Sequence, residues 1–539
     1  MVPGGARDPQ YRRRAMTESE RALRLARRRR RERLRLGVLA ALVAVVAGAF
    51  TLTRALDDEP TVTAGPTSRP SASATSPDAT DPTTTTSATT VPNVLVDPAA
   101  QFGAPWGTTV SGLLTFRGNP TRSFHGTGPV PQRPEVVWRF PDEPMCAQSA
   151  DRGETRTWCG MGWTGQPAVF EREGRTWVVF GAYDRNVHFV DADSGERIIP
   201  DFPTGDIIKG SVTIDPDGFP IVYSGSRDGF FRAIAFDRPE PLELWRLSAT
   251  GHGETLWNDD WDGSALVLGD HLLEGGENSR FHIARLARGY DGDGLVTLAS
   301  ELVFHAAGWD AELLDAIGDR EVSIEGSVAV SGDIVYFANS GGLLQGWDVS
   351  FLRTGTGAPT RVLRYWLGDD TDASVVVDDE GYLYVGVEYQ RRNSRAEEIG
   401  QLLKIDPRVP EAPVVWSVDV RDGTPGGSFS TPAVLDDVVI FPTRNGTVYG
   451  LARADGAERW TLRLPAPLMG SPVVVDDVWI QGDCAGVLHA YDLPDGVGSP
   501  RERWAVELGG CIEATPAVWN GRIFVGTRGG YLHALADPG

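Results

Sequence analysis

The chain has 539 residues and a hydrophobic content of 41%, which is sufficient for a large folded core, and its formal net charge is −22. Residues 1–35 hold thirteen Arg against four acids, net +9, so the remaining residues carry −31. A body this acidic excludes nucleic acid as its partner, because phosphate binding needs a basic face; it is compatible with solubility, with cationic ligands or with bound Ca²⁺.

The basic arm precedes an uncharged apolar run, Leu36–Thr53, flanked by Arg35 and Arg54. Eighteen helical residues span about 27 Å, enough to cross a bilayer core, so a single transmembrane helix is expected. Arg27–Arg31, Arg33 and Arg35 lie before it, and Asp57, Asp58 and Glu59 after it. The positive-inside rule therefore puts residues 1–35 in the cytoplasm and everything after the helix outside, in the plasma membrane as a single-pass protein. A rival reading is a cleaved signal peptide ending near Ala47-Gly48-Ala49; the long basic segment counts against it, and both readings export the rest. The arm is read as a topology determinant that touches lipid rather than as a partner site. Residues 54–95, rich in Thr, Ser and Pro, lack the apolar content to fold and are expected to form a disordered linker, either a bare tether or an O-glycosylation target. Only Lys209 and Lys404 among the 51 basic residues are lysine, a bias of high-GC, actinobacterial-type genomes.

Residues 96–539 form a repeat array. Ser430–Leu451, Gly470–Tyr491 and Ala514–Leu535 superimpose without a gap. Each has a small residue plus Pro (432, 472, 516), an apolar strand, a polar turn, a second strand, a turn glycine (446, 486, 530) and a third strand. Strands around Trp245, Trp416, Trp460 and Trp504 supply the fourth. Upstream copies fit with decay: Gln166–Val190, Gly210–Ala235 with its Asp228-Gly229 turn, Asp262–Leu286 as the poorest, Ile324–Trp347, and Ala373–Asp406 with an insertion around Gln390–Ile399. Eight units start near 165, 210, 262, 325, 372, 428, 469 and 512, which implies an all-β fold, an eight-bladed β-propeller of four-stranded blades. The last unit holds only three strands before Gly539, and Glu135–Phe140 (EVVWRF) resembles the missing fourth. An open ring would leave a bare sheet edge, so closure by this N-terminal strand is expected. The alternatives are an open β-rich array or two sandwiches.

The four cysteines, Cys146, Cys159, Cys484 and Cys511, are even in number and favour disulfides in an exported domain. Strand order puts all four on one face of a propeller. Pairing 146–159 and 484–511 is the local solution, with two other connectivities and four free thiols still open.

Small-Pro at the inner strand, V-Y-V-G-like second strands, G-x-L-x-A-x-D-like third strands and a Trp in the fourth resemble the pyrroloquinoline-quinone (PQQ) repeat of quinoprotein-type propellers. Thr115–Asn119 (TFRGN), Gly128-Pro129 and Trp138 are similar to the lead-in segment of such chains, so the resemblance spans 115–539. It implies one of two types. Quinoprotein dehydrogenases bind PQQ and Ca²⁺ in the channel, whereas BamB-type scaffold propellers bind no cofactor and present surfaces to partners. The dehydrogenases place two adjacent Cys against the quinone; this chain has no Cys-Cys pair, no alignable quinone and Ca²⁺ ligand set and no C-x-x-C-H haem site. The repeat thus implies a fold rather than a cofactor.

The candidate ligand or partner face is the one holding the inner-strand entrances. It gathers Trp158, Trp163, Trp257 and Trp261 with Asp259, Asp260, Asp262, Asp369, Asp370 and Asp372, while Glu325 and Glu513 open the inner strands of units four and eight. Aromatics and acids beside a channel suit a cation, a sugar or a basic peptide; the competing reading has each Trp plugging its own blade and each Asp capping a turn. Asp291-Gly292-Asp293-Gly294 begins like a Ca²⁺ loop, but Leu295 breaks the pattern and a tight hairpin fits better. His489 and His533 share one strand-three slot, which register explains. There is no G-x-S-x-G, P-loop or zinc-like spacing. The expected function is a membrane-tethered, extracytoplasmic, monomeric propeller acting as a non-catalytic binding or scaffold module for a cell-envelope protein or glycan. The alternative is a PQQ- or metal-dependent oxidoreductase.

Overall fold

The computed structural model describes residues 93–538 apart from 152, 164, 422, 424 and 495–497. The basic arm, the apolar run and nearly all of the linker lie outside the described residues. Among the described residues no helix is long and apolar enough to cross a membrane.

Among the described residues, alternating apolar residues and turn glycines fold into eight blade sheets beside three two-stranded ones, and in blades two to seven the strands follow chain order across the sheet. The inner strands are Ala168–Arg172, Thr213–Ile214, Leu266–Leu268, Ala329–Ser331, Val376–Val377, Ala433–Val434, Val473–Val475 and Ala517–Trp519, and they number the blades one to eight. The eighth blade is completed by Glu135–Phe140, antiparallel to Leu532–Ala536, as the lone EVVWRF segment suggested. Its register shifts between Val136 and Trp138, and the fourth strands of the other blades from two to seven shift at the matching place, for example at Gly450/Leu451 and Ala490/Tyr491. A bulge there increases the local twist and curls each outer strand around its blade.

The fourth-strand tryptophans join neighbouring blades at the rim. Trp138 Nε1 donates to the Ala192 carbonyl of blade one at 3.0 Å, and Trp416 Nε1 donates to Arg453 of blade six at 3.2 Å. Each indole lies on a turn glycine of the next blade, Gly195 or Gly456, where a Cβ would meet the ring within 2.8 Å. Between sheets the core is continuous: Phe140, Val169, Phe180, Phe524 and Leu532 form one cluster that seals blade eight against blade one.

Near the axis a belt of hydroxyls joins the inner strands. The backbone N–H of Ser264 donates to Ser327 Oγ (2.9 Å), Ser327 to Ser374 Oγ (2.8 Å), Ser374 to Thr431 Oγ1 (2.9 Å) and Thr431 to Ser471 Oγ (3.0 Å). Gln166 closes the circle, its N–H on Ser211 Oγ and its Nε2 on the Pro516 carbonyl, both at 2.8 Å. The small residue of each repeat is therefore small because it lies in this belt.

The lead-in segment has a role that its resemblance did not reveal: residues 112–125 are buried and cross the channel. Gly112–Leu113 adds to the inner strand of blade one, and Gly126–Thr127 adds to that of blade eight in parallel. Between them the carbonyls of Leu114, Pro120 and Thr121 accept from Ile214, Val330 and Val377. These partners fall late in the inner strands, so the segment closes the end of the channel opposite the entrances. Arg117 Nη2 donates to Thr431 (2.7 Å) and Pro432 (2.9 Å), and Arg122 donates to Val328 (2.8 Å), Phe116 (2.8 Å) and Ser264 (2.7 Å). Burial lowers both guanidinium groups to about 9, which still leaves them charged at neutral pH.

Candidate functional site

Two residues ahead of each belt hydroxyl, the chain enters its inner strand, and these positions form a second ring. In blades two to eight it reads Lys209, Asp262, Glu325, Asp372, Phe429, Met469 and Glu513. The arc from blade two to blade five is thus charged, and blades six and seven are apolar. The charges share one space: burial first, then the fields of Glu513 and Asp262, push the phenol of Tyr183 in blade one upward, against the opposing fields of Arg528 and Lys209.

The hairpin Cys146–Asp151 and Glu154–Cys159 stands over this end, and its ends are tied by the Cys146–Cys159 disulfide. The second bond joins Cys484 to Cys511. Both are the local pairings. On the hairpin's second strand, Trp158 lies edge-on to Tyr183 (centroids 5.5 Å apart) with the Arg528 guanidinium 5.2 Å from its ring. Trp163 reaches across the mouth to Phe429 of blade six, with ring centroids 5.5 Å apart. Gly162 allows this crossing, since a Cβ there would fall 1.4 Å from the Tyr183 hydroxyl.

Blade three places Asp260, Asp262 and Glu277 within 4.8 Å of one another. Lys209 of blade two lies among them, its Nζ 3.1 Å from Asp260 Oδ2, 2.5 Å from Asp262 Oδ2 and 2.5 Å from Glu277 Oε1. Arg227 adds a contact to Asp260 at 3.5 Å, and Asn258 Nδ2 donates to Glu277 Oε2 at 2.8 Å. Burial opposes the Lys209 charge, but the carboxylates overcome it and raise the ammonium well above its ordinary value. Burial likewise works against ionised Glu277, and Lys209 outweighs it, so Glu277 ends below the usual range. Asp260 is pushed up to about 6, chiefly by burial.

Blade five repeats the arrangement with Asp370, Asp372 and Glu388. The Glu388 N–H donates to the Asp370 carbonyl at 2.9 Å, as the Glu277 N–H does to Asp260 at 3.0 Å. The neighbouring blade differs: where blade two offers Lys209, blade four offers Glu325. Ser340 Oγ donates to Asp372 Oδ1 (3.2 Å), and Ser323 Oγ donates to Glu325 Oε1 (2.7 Å). Gln390 Nε2 donates to Glu388 Oε2 and to Asp370 Oδ2. Arg391 comes only to 3.9 Å from Asp370. Burial first, then the neighbouring carboxylates, raise Asp372, Glu388 and Glu325 well above the carboxylate range, and Asp370 to about 7.

The sequence-derived face is therefore divided. Trp158, Trp163, Glu325, Asp370, Asp372 and Glu513 do meet at the entrance. Trp257, 40% exposed, and Asp259 are at the surface. Trp261 requires correction: it is fully buried between Phe231 and His282, at centroid distances of 5.6 and 5.1 Å, and belongs to the blade core. Asp260 and Asp262 are also buried rather than accessible, bound to Lys209. Asp369 caps a turn, accepting from the N–H groups of Asp370 and Arg391. Lys209, Glu277 and Glu388 were missed, although D-x-D-G-S with G-G-E and D-x-D-A-S with G-V-E were both in the repeat. Asp291–Gly294 is a hairpin turn, its carboxylate capping the N–H groups of Asp293 and Leu295. On the opposite face a groove of about 480 Å³ lies between blades six and seven, lined by Phe102, His125, Asp436 and Asp476 among others.

A sequence model of the family described as "Outer membrane protein assembly factor BamB" matches residues 400–499, from late blade five into blade seven. The outer membrane protein assembly factor BamB of Moranella endobia is 28% identical over 167 residues, 27% of this chain and 43% of that protein. Its namesake from Yersinia pestis is 29% identical over 144 residues, 23% of this chain and 37% of that protein. The chain thus aligns with about two fifths of the length of these relatives. A europium-containing methanol dehydrogenase superimposes with a TM-score of 0.51 at 12% identity, covering 79% of this chain and 98% of that one, a likeness of fold alone. The ring and the repeat are those of a PQQ-like β-propeller.

The fold raises the question of PQQ itself, a flat tricarboxylate. The entrance would meet it with Asp262, Glu325 and Asp372, each already pushed upward by burial and by neighbouring carboxylates. The disulfides join Cys146–Cys159 and Cys484–Cys511, with no pair of adjacent Cys to lie against a quinone. The residues present do not fit this cofactor, and no redox step is derived through it.

Proposed function

We propose that this PQQ-like β-propeller is a non-catalytic binding or scaffold module, tethered by its N-terminal helix outside the cytoplasm, whose entrance face takes a cell-envelope protein or glycan. The observation carrying this reading is the lead-in segment. Residues 112–125 occupy the channel with two buried arginines bound to inner-strand carbonyls, so the axis is built as packed interior. The likeness to proteins named assembly factors supports the same reading. What remains for a partner is the rim of the entrance, where Trp257 and Asp259 are exposed.

Full-length protein supplied with PQQ and Ca²⁺ is expected to give no PQQ-dependent dye reduction with alcohols or aldoses. Turnover in that assay would replace this reading with the quinoprotein oxidoreductase. Crosslinking in native membranes should capture a partner with the wild type and not with Trp257→Ala/Asp259→Ala. Both side chains are exposed, so the double variant should melt with the parent. A reporter fused after Gly539 should be active only outside the cytoplasm.

A further inference from the structure

The repeat contains its own control experiment. Two blades carry the same D-x-D…E triad, positioned by the same belt serine (Ser264, Ser374) and the same backbone bond from the glutamate. In blade three a cation from the preceding blade lies among the three carboxylates, as the Nζ of Lys209. In blade five the residue at the lysine's repeat position is Glu325, which shares Ser340 with Asp372. A fourth carboxylate, joined to the triad through Ser340, therefore stands where blade three has its lysine. Glu388 has no exposure, and its Oε1, like Asp370 Oδ1, is buried without a hydrogen-bond partner. Burying an ionised carboxylate without a counter-charge costs several kcal/mol, so such a set stands only with a cation among its oxygens or with protons on them.

We propose that Asp370, Asp372, Glu388 and Glu325 form a binding site for one hard divalent metal cation at the channel entrance. The donors are all carboxylate oxygens, the preference of hard cations. The three triad oxygens lie within 4.8 Å of one another, and ligands on opposite sides of a Ca²⁺-sized ion are separated by up to about 5 Å. The charge argues for two positive units: relative to blade three, the site has lost the lysine and gained a fourth carboxylate. Arg391, 3.9 Å from Asp370 Oδ2 and also bonded to Asp319, Ser340 and Glu321, holds the outer edge and leaves Glu388 and Asp372 to the ion. The raised affinity of these four groups for protons has the same origin. The donors are protein oxygens, with water filling the remaining positions and no quinone required.

The test uses full-length protein stripped with a chelator and titrated with Ca²⁺, Mg²⁺ or Mn²⁺ at pH 7.5, reading bound metal, heat of binding and Tm. One equivalent should bind, and Tm should rise with free metal by mass action. Glu388→Gln should lose that equivalent. Glu325→Lys rebuilds the blade-three arrangement and should abolish both binding and the Tm response while the metal-free protein melts higher than metal-free wild type. Asp262→Asn, in the lysine-filled triad, should leave the bound equivalent in place. If stripped wild type takes up none of the three metals and its Tm does not respond, the carboxylates carry protons instead and the proposal is overturned. It is overturned equally if metal binds and Glu325→Lys keeps it. Should Glu388→Gln fail to fold, the wild-type titration and Glu325→Lys decide alone.

Discussion

Glu277 and Glu388 stand two residues after equivalent glycines, in blades three and five, and their carboxyl groups shift in opposite directions. Both are removed from water, which by itself favours the neutral acid in each. Glu277 nevertheless ends below the ordinary range because Lys209 lies 2.5 Å away; Glu388 is held well above it because its neighbours are Asp372 and Asp370. One residue in the preceding blade, Lys209 or Glu325, makes the difference. A propeller repeats its backbone, so a single substitution at an entrance position can turn a self-satisfied ion cluster into a site that needs an outside cation.

The largest expected effect comes from removing the lysine. Lys209→Met leaves three buried carboxylates with only Arg227 nearby and should cost about 3–5 kcal/mol at pH 7 in denaturant unfolding. A variant as stable as the parent would erase the distinction between the two blades.

A smaller effect of opposite sign is expected at the paired glutamates. Glu277→Gln weakens the Lys209 cluster and should destabilise by about 1–3 kcal/mol. Glu388→Gln, measured in chelator, removes one member of a repelling set and should be neutral or stabilising by about 1 kcal/mol. The same direction for both variants would show that burial outweighs neighbouring charge at both sites.

The pH dependence tests the same contrast without changing a neighbour. For Glu277, the lowered folded value means that its contribution is present above the unfolded pKa of about 4.3 and is lost as pH falls below it. For Asp370, held at about 7, the folded state binds the proton more tightly than the unfolded chain does. Between about pH 4 and pH 7 the folded protein then carries more protons, so stability in chelator falls as pH rises through that window. Asp370→Asn should flatten this part of the profile, and a slope unchanged in Asp370→Asn would move the origin elsewhere.

Much of this architecture was legible in the chain. Glycines at a fixed offset from a small-Pro pair, a Trp in each outer strand and a stranded EVVWRF segment state local requirements: a turn, a belt residue, a rim contact and a missing strand. Each depends on near neighbours or on the repeat itself. Strand order put the four cysteines on one face and left three connectivities open; the structure takes the local one, Cys146–Cys159 and Cys484–Cys511. Trp261 was misplaced because a surface-like string of acids surrounds it in sequence, whereas in space it lies between Phe231 and His282.

Sequence alone therefore determined the eight blades, the closure of the ring and the accumulation of acids at one end, because periodicity is a local property. Tertiary structure alone decided what fills the axis and which charges meet. The path of residues 115–122 across the channel depends on carbonyls from blades three, four and six that are 142 to 315 residues away from Arg117 and Arg122. The pairing of Lys209 with blade three, and of Glu325 with blade five, arises only when the ring brings consecutive blades side by side. Coulomb energy depends on that distance in space, and on the water excluded with it, which no spacing along the chain records.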